Sequence, residues 1–282
     1  MGRYGLRIFH EHTPRTRPCD PVVFDEEAYA NGEDPYHSNP VIVANYENFI
    51  GYKNGRNGAI AEDIGAVRFI NFKTVDNILG GIEVNRIFDV RDDEFGGPWI
   101  DGAVVVGRSQ KSIDDETTFQ GTAQDSDFAF DWVSPHGIIT PQADFYRVKN
   151  ARLYNFDFHD AAAIGTCSHC FKEPATDSDG RTVKFTNVTV DETTVTKKIR
   201  YQFPYKTIIF DEDGAFTGQD AGSWAISNTW NHNLWDGECW EDEVYDGYLC
   251  SNQVTVRAVW IYNVTPDSLL NYEICVLKYD YE

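Results

Sequence analysis

Residues 44–58 read A-N-Y-E-N-F-I-G-Y-K-N-G-R-N-G, and residues 67–81 read V-R-F-I-N-F-K-T-V-D-N-I-L-G-G. Aligned, Asn48, Phe49, Asn54 and Gly58 match Asn71, Phe72, Asn77 and Gly81, each shifted by 23 residues. A repeat of this length, with a strand, an Asn bend and further short strands, suits one turn of a right-handed parallel β-helix. Alternate side chains fill a narrow interior, and the backbone pairs with the turns above and below. Asn suits the bend because it tolerates left-handed dihedrals and bonds nearby backbone. Stacked Asn amides also form ladders.

The core of the repeat is a six-residue pattern, apolar-x-apolar-x-Asn-apolar. It recurs at 44–49, 67–72, 151–156, 183–188 and 259–264. A sixth stretch, 103–108, has Gly in place of Asn. Later spacings of 36, 48, 32 and 76 residues imply long loop insertions at the corners. Helical spacing with caps is almost absent, whereas short β-branched or aromatic runs bounded by Gly, Asn and Asp recur throughout. An antiparallel sandwich also alternates, but it does not share an Asn-bend register. The expected fold is all-β, a right-handed parallel β-helix over a single domain, 1–282.

The 282 residues carry 24 Lys+Arg against 45 Asp+Glu, a formal net charge of −21. That balance argues against nucleic acid and against polyanion binding driven by net charge; only a local basic patch restores such partners. With 41% hydrophobic and 14% aromatic residues the chain is no disordered acidic tail. It has no apolar run of about 18 residues, so no membrane insertion is expected.

Six cysteines and two sequons, at Asn187 and Asn263, favour a secreted or cell-surface protein. Cys239 and Cys250 flank a turn-rich loop that suits a disulfide. The opening residues lack a signal peptide's apolar region. The chain is therefore expected to be a mature piece, a domain of a longer extracellular protein, or an incomplete gene.

Several clusters are candidates for chemistry. Cys167 and Cys170 have C-x-x-C spacing, with His159 and His169 close by. They suit zinc, a disulfide or two buried thiols. Asp211 and Asp213 precede Gly214, as at the start of a calcium loop, but Gly222 stands where an EF-hand needs Glu. A tight turn with Gly at positive φ is the favoured reading there, and Ca²⁺ the minor one. Trp224, Trp230, Trp235 and Trp240 crowd one segment. They either stack on sugar rings or pack a loop onto the wall. Asp157, His159 and Asp160 are the acids and base for a polysaccharide-cleaving reading. No cofactor motif is present.

Residues 148–170 (V-K-N-A-R-L-Y-N-F-D-F-H-D-A-A-A-I-G-T-C-S-H-C) resemble the fibrocystin and fibrocystin-L family. So do 205–224 (Y-K-T-I-I-F-D-E-D-G-A-F-T-G-Q-D-A-G-S-W), followed by Cys239 and Cys250, and the run 71–84. The D-x-D-G-x-x-T-G element also resembles related cell-surface hyaluronidases. The resemblance implies a parallel β-helix in the extracellular region of a large surface protein. It carries no catalytic residue over.

The expected function is a non-enzymatic surface-coat or matrix scaffold, glycosylated at its loops. The chain begins and ends in strand-like sequence with no cap helix, so its ends are expected to meet neighbouring coils or self-associate into filaments. A carbohydrate-active enzyme and a carbohydrate-binding module are the alternatives, with extracellular glycans as partners.

Overall fold

The computed structural model describes residues 2–9, 12–33, 35–87, 99–109, 136–141, 146–158, 161–166, 181–200, 207–227, 235–236, 239–252, 255–258 and 277–278. The described residues are nearly all β. In chain order they form β1 (Tyr4–Ile8), a short helix α1 (Glu26–Ala30), β2 (Ala44–Glu47), β3 (Ile50–Tyr52), β4 (Asn57–Ile64), β5 (Val67–Ile70) and β6 (Lys73–Val75). There follow β7 (Gly80–Ile87), β8 (Trp99–Asp101), β9 (Val104–Val106), β10 (His136–Thr140), β11 (Tyr146–Lys149) and β12 (Arg152–Tyr154). Next come β13 (Ala162–Thr166), β14 (Arg181–Thr186), β15 (Thr189–Val190), β16 (Ile199–Arg200) and β17 (Thr207–Asp211). The remainder are β18 (Ser223–Ser227), β19 (Trp235–Asp236), β20 (Cys239–Asp242), β21 (Gly247–Cys250), β22 (Thr255–Ala258) and β23 (Leu277–Lys278).

Three sheets take these strands in rotation. The first has the order β1-β4-β7-β10-β13-β16, the second β2-β5-β8-β11-β14-β17, and the third β3-β6-β9-β12-β15. Every pairing in these three series is parallel. A parallel pair needs a crossover between its strands. Here the crossover is made by visiting the other two sheets.

The inward side chains of all three sheets join one apolar cluster. It includes Ala59, Ile82 and Ile138 from the first sheet, Phe69, Val148 and Phe185 from the second, and Val105 and Leu153 from the third. The rings of Phe49 and Phe72, matched in the sequence repeat, lie 5.1 Å apart. Gly81, matched to Gly58, has no room for a side chain: a Cβ would fall 2.5 Å from Val105 Cγ1 and 2.7 Å from Gly137 O.

The corners explain the Asn pattern. Strands of the second sheet end at Asn48, Asn71, Gly102, Asn150 and Asn187, all with positive φ between 52° and 75°. Asn71 Nδ2 donates to Asn48 Oδ1 at 3.4 Å, Asn150 Nδ2 to Asp101 Oδ1 at 2.7 Å, and Asn187 Nδ2 to Asn150 Oδ1 at 2.8 Å. A second set of left-handed corners, Lys53, Asp76 and Asn155, follows strands of the third sheet. This corrects one expectation. The stretches 103–108 and 151–156 lie on the third sheet, at β9 and β12, not above β2 and β5. Both kinds of corner demand a left-handed residue, so both attract Asn, and the six-residue pattern does not tell them apart. The second-sheet counterpart of β5 in that round is β11, followed by Asn150. The stretch 259–264 is outside the described residues.

The interior carries its own ladder. Asn54 N and Nδ2 both donate to Asn77 Oδ1, at 3.1 and 2.9 Å, and Asn77 Nδ2 reaches Gly51 O at 3.4 Å.

Beyond β17 the second sheet turns antiparallel, in the order β17-β18-β21-β20. The Cys239–Cys250 disulfide joins directly opposed residues of β20 and β21. Phe216, from the turn after β17, and Tyr245, from the 3₁₀ turn Glu243–Tyr245, enter the main apolar cluster. Their rings lie 6.0 Å apart, with Phe216 4.9 Å from Phe185. The buried Lys198 Nζ donates to Phe216 O at 2.8 Å and to Tyr245 Oη at 3.1 Å. Among the described residues, this end of the core is packed by these side chains. The turns that carry Phe216 and Tyr245 lack the apolar periodicity of a cap helix. At the other end β1, β2 and β3 are each the outermost strand of their sheet. Most of the exposed large apolar side chains, Phe24, Tyr29, Ile50 and Tyr52 among them, belong to that part of the chain.

Asn77→Ala leaves two Asn54 donors unpaired in the interior, so it is expected to cost about 2–3 kcal/mol in urea unfolding. Tyr146 is fully buried and its hydroxyl meets no partner among the described residues, and burial pushes the phenol well above its ordinary pKa. Tyr146→Phe is therefore expected to stabilise the chain by about 1 kcal/mol, read as a rise in Tm.

Candidate functional site

Alternation along the second sheet sends one residue of each strand outward at matching height. Register places Asn45, Arg68, Trp99, Arg147, Lys184, Phe210 and Trp224 side by side across seven consecutive strands. Arg68 Cζ lies 3.5 Å from the centre of the Trp99 ring, and Lys149 Nζ approaches the same ring at 5.5 Å. A second outward row carries Ile70, Asp101, Lys149 and Thr186. Both rows are half-buried from Arg68 to Lys184. Burial draws the Arg68 guanidinium below its ordinary pKa, and the Asp101 charge opposes this. Arg68, Arg147, Lys149 and Lys184 thus share one face of a strongly acidic chain with Trp99 and Asp101, and Glu47 stands beside Ile70 at the β2 end of the second row. Neighbouring strands are about 4.8 Å apart, so Lys184 stands one strand spacing from Arg147, and Arg68 two spacings from it across Trp99. Guanidinium groups over aromatic faces are well suited to planar anionic groups.

The row continues into an aromatic end. Phe210 and Trp224 lie 4.4 Å apart, beside the disulfide. Trp240 sits opposite Leu249, not Cys250, so it belongs to the other face of the sheet from Trp224. These two indoles do not make one platform. Trp224 is half-buried and Trp240 is 39% exposed.

The first sheet holds a buried polar set outside the main apolar cluster. Asn57, on β4, donates from Nδ2 to Glu83 Oε2 on β7 at 2.7 Å, and both residues are fully buried. His136, on β10, is 5% exposed. Burial holds its imidazole down to a pKa of about 4; the Arg200 charge acts the same way and Glu83 opposes. Gly165 on the next strand has a Cβ direction only 3.1 Å from the His136 ring, so glycine lets the ring lie flat there.

Among the residues nominated from sequence, Asp157 is exposed and faces Arg108 Nη2 at 3.4 Å. His159, Asp160, Cys167, His169, Cys170, Trp230 and Asn263 lie outside the described residues, so the zinc and acid–base readings have no geometry here. Trp235 belongs to β19. Asn187 is an exposed corner residue whose amide nitrogen serves the Asn ladder. Asp211 and Asp213 close the turn after β17. Asp211 Oδ2 accepts from Phe216 N, Thr217 N and Thr217 Oγ1 at 3.0, 2.7 and 2.8 Å. Gly214 has φ 78°, as a tight turn requires. Among the described residues no group of three or more His, Cys, Asp or Glu is placed to hold a metal. The cation row was not legible in the sequence, because its members are single residues separated by insertions of unequal length.

No family model matches the chain. It is similar to fibrocystin-L of Mus musculus, at 23% identity over 281 residues, covering 97% of this chain and 6% of that protein. Fibrocystin-L of Homo sapiens is 22% identical over the same extent. The chain therefore spans about 6% of the length of the curated relatives it matches, and its relationship to them is distant. No helix among the described residues is long and apolar enough to cross a membrane.

A histidine whose folded pKa lies below its unfolded value stabilises the fold above the unfolded value. That stability is lost as pH falls from about 6.5 to about 4. The His136 contribution over that window is expected to be about 3 kcal/mol. Urea unfolding at pH 7 and pH 4.5 checks it: His136→Gln should show a shallower loss on acidification than the parent chain.

Proposed function

We propose that this chain is a stretch of right-handed parallel β-helix in the extracellular part of a cell-surface protein. It serves as a scaffold whose second-sheet face holds an acidic polysaccharide. The three parallel series support the fold, because a chain that visits three sheets in rotation winds around one interior. The distant likeness to fibrocystin-L and the Cys239–Cys250 disulfide support the location.

The cation–indole row carries the glycan reading. Arg68, Arg147 and Lys184, with Trp99 between the first two, line up across four neighbouring strands. A linear polyanion with a charge on every repeat meets several of these groups at once. The indole edge and face accept a sugar ring between the charged contacts. Net repulsion from the rest of the chain keeps such binding local and salt-sensitive. A head-to-tail filament suits this architecture poorly. β18 runs antiparallel across the edge that the next copy's second sheet would need.

Binding to heparan sulfate, hyaluronan and neutral dextran, measured by surface plasmon resonance at two salt concentrations, tests the proposal. The acidic chains should bind and weaken with salt, while dextran should not bind. Arg147→Ala combined with Lys184→Ala should weaken binding about tenfold. Equal binding to dextran, no binding to any acidic glycan, or an unaffected double variant would overturn it.

A further inference from the structure

Asp211 is the last residue of β17 and its side chain is completely buried. Its two oxygens have different surroundings. Oδ2 accepts the three donors from Phe216 and Thr217 described above, whereas Oδ1 is buried without a hydrogen-bond partner among the described residues. Asp213, two residues on, accepts Ala215 N at 3.2 Å through Oδ1 and Asn187 N at 2.7 Å through Oδ2. The turn therefore fixes both carboxylates. Burial raises the Asp211 pKa, and the Asp213 carboxylate raises it further by charge and by side-chain contact. The buried Lys198 ammonium at this end of the core bonds Phe216 O and Tyr245 Oη and pairs with Glu192 at 3.0 Å. A carboxylate oxygen removed from water with no donor is costly, and a second carboxylate beside it adds to the cost.

We propose that a calcium ion binds between Asp211 Oδ1 and the Asp213 carboxylate, with backbone carbonyls of the 211–222 turn and water completing its shell. The donors are oxygen only, which selects a hard cation over zinc. A tight turn offers irregular geometry, which calcium accepts more readily than magnesium. Two carboxylates, with no third placed to join them among the described residues, make a weak site, in the range of about 10⁻⁴–10⁻³ M typical of extracellular modules. The ion ties the turn that carries Phe216 into the core to the last corner of the Asn ladder, through Asn187 and Asp213. The site is independent of the polysaccharide reading.

The test is thermal unfolding of the full chain at pH 7.5, in EDTA and in about 10 mM Ca²⁺ or Mg²⁺. Isothermal titration with Ca²⁺ gives binding directly. A rise in Tm of about 3 °C with Ca²⁺, and less with Mg²⁺, is expected. Asp211→Asn keeps an oxygen for the Thr217 donors, and Asp213→Asn alters an exposed residue, so both should fold. Each should lose the Ca²⁺ response, while Asp157→Asn, which removes the same charge elsewhere, keeps it. No Ca²⁺ shift in the parent chain would overturn the proposal. So would a shift that all three variants share, which marks diffuse binding to an acidic surface. A parent chain that ignores Ca²⁺, together with an Asp211→Asn variant that is more stable in EDTA, would assign a shared proton to the pair and overturn it equally.

Discussion

Everything in this structure depends on parallel strands stacking in register, round upon round. A parallel ladder forces each round to bend at the same height as the round beneath it. The bend after each second-sheet strand from β2 to β14 is left-handed, which costs an ordinary side chain roughly 1–2 kcal/mol. Asn48, Asn71, Asn150 and Asn187 lower that cost and bond to one another or to neighbouring corner residues. The same demand inside the wall removes the side chain at Gly81 and aligns Asn54 with Asn77. Where the demand ends, at β17, the chain changes to antiparallel pairing, and Asp213 takes the next backbone donor of the ladder.

How much of this was legible depended on insertions. Between 44 and 81 there is none, and all four residue matches at a shift of 23 proved to be structural neighbours: corner, ring stack, interior amide and close approach. From β7 onward the rounds differ in length, and one six-residue pattern then marks two kinds of corner. The Asn of 151–156 therefore marks a third-sheet corner, unlike the second-sheet corners of 44–49 and 67–72. The turn at Asp211–Gly214 was readable from Asp at the bend and Gly after it. The buried Glu83–Asn57–His136 set was not, because no local pattern announces a polar residue that pairs with one some two dozen positions away. The cation row escaped for the same reason, and a net charge of −21 pointed away from it.

Net charge and local field are different quantities, and the second sheet separates them. Outward positions on a stack are chosen one per strand, so a few residues far apart in sequence create a cationic strip within a strongly acidic chain. Arg68 against Trp99 is the strongest instance, a guanidinium held at 3.5 Å over an indole. Such pairs hold long side chains in place and so lower the entropy cost of presenting them to a ligand. A rigid wall with an ordered charged face is what a scaffold for an extended polymer requires.

The central claim is that successive rounds lie in parallel register, which between residues 44 and 81 means a shift of 23. Disulfide trapping tests it most directly, with Cys19, Cys167, Cys170 and Cys275 all replaced by Ser as background, so that only the Cys239–Cys250 pair remains. Asn45 and Arg68 are outward partners on β2 and β5. Asn45→Cys with Arg68→Cys should cross-link on mild oxidation, and Asn45→Cys with Ile70→Cys should not. The reverse result, or equal cross-linking of both pairs, would contradict the register on which the fold, the corners and the cation strip all rest.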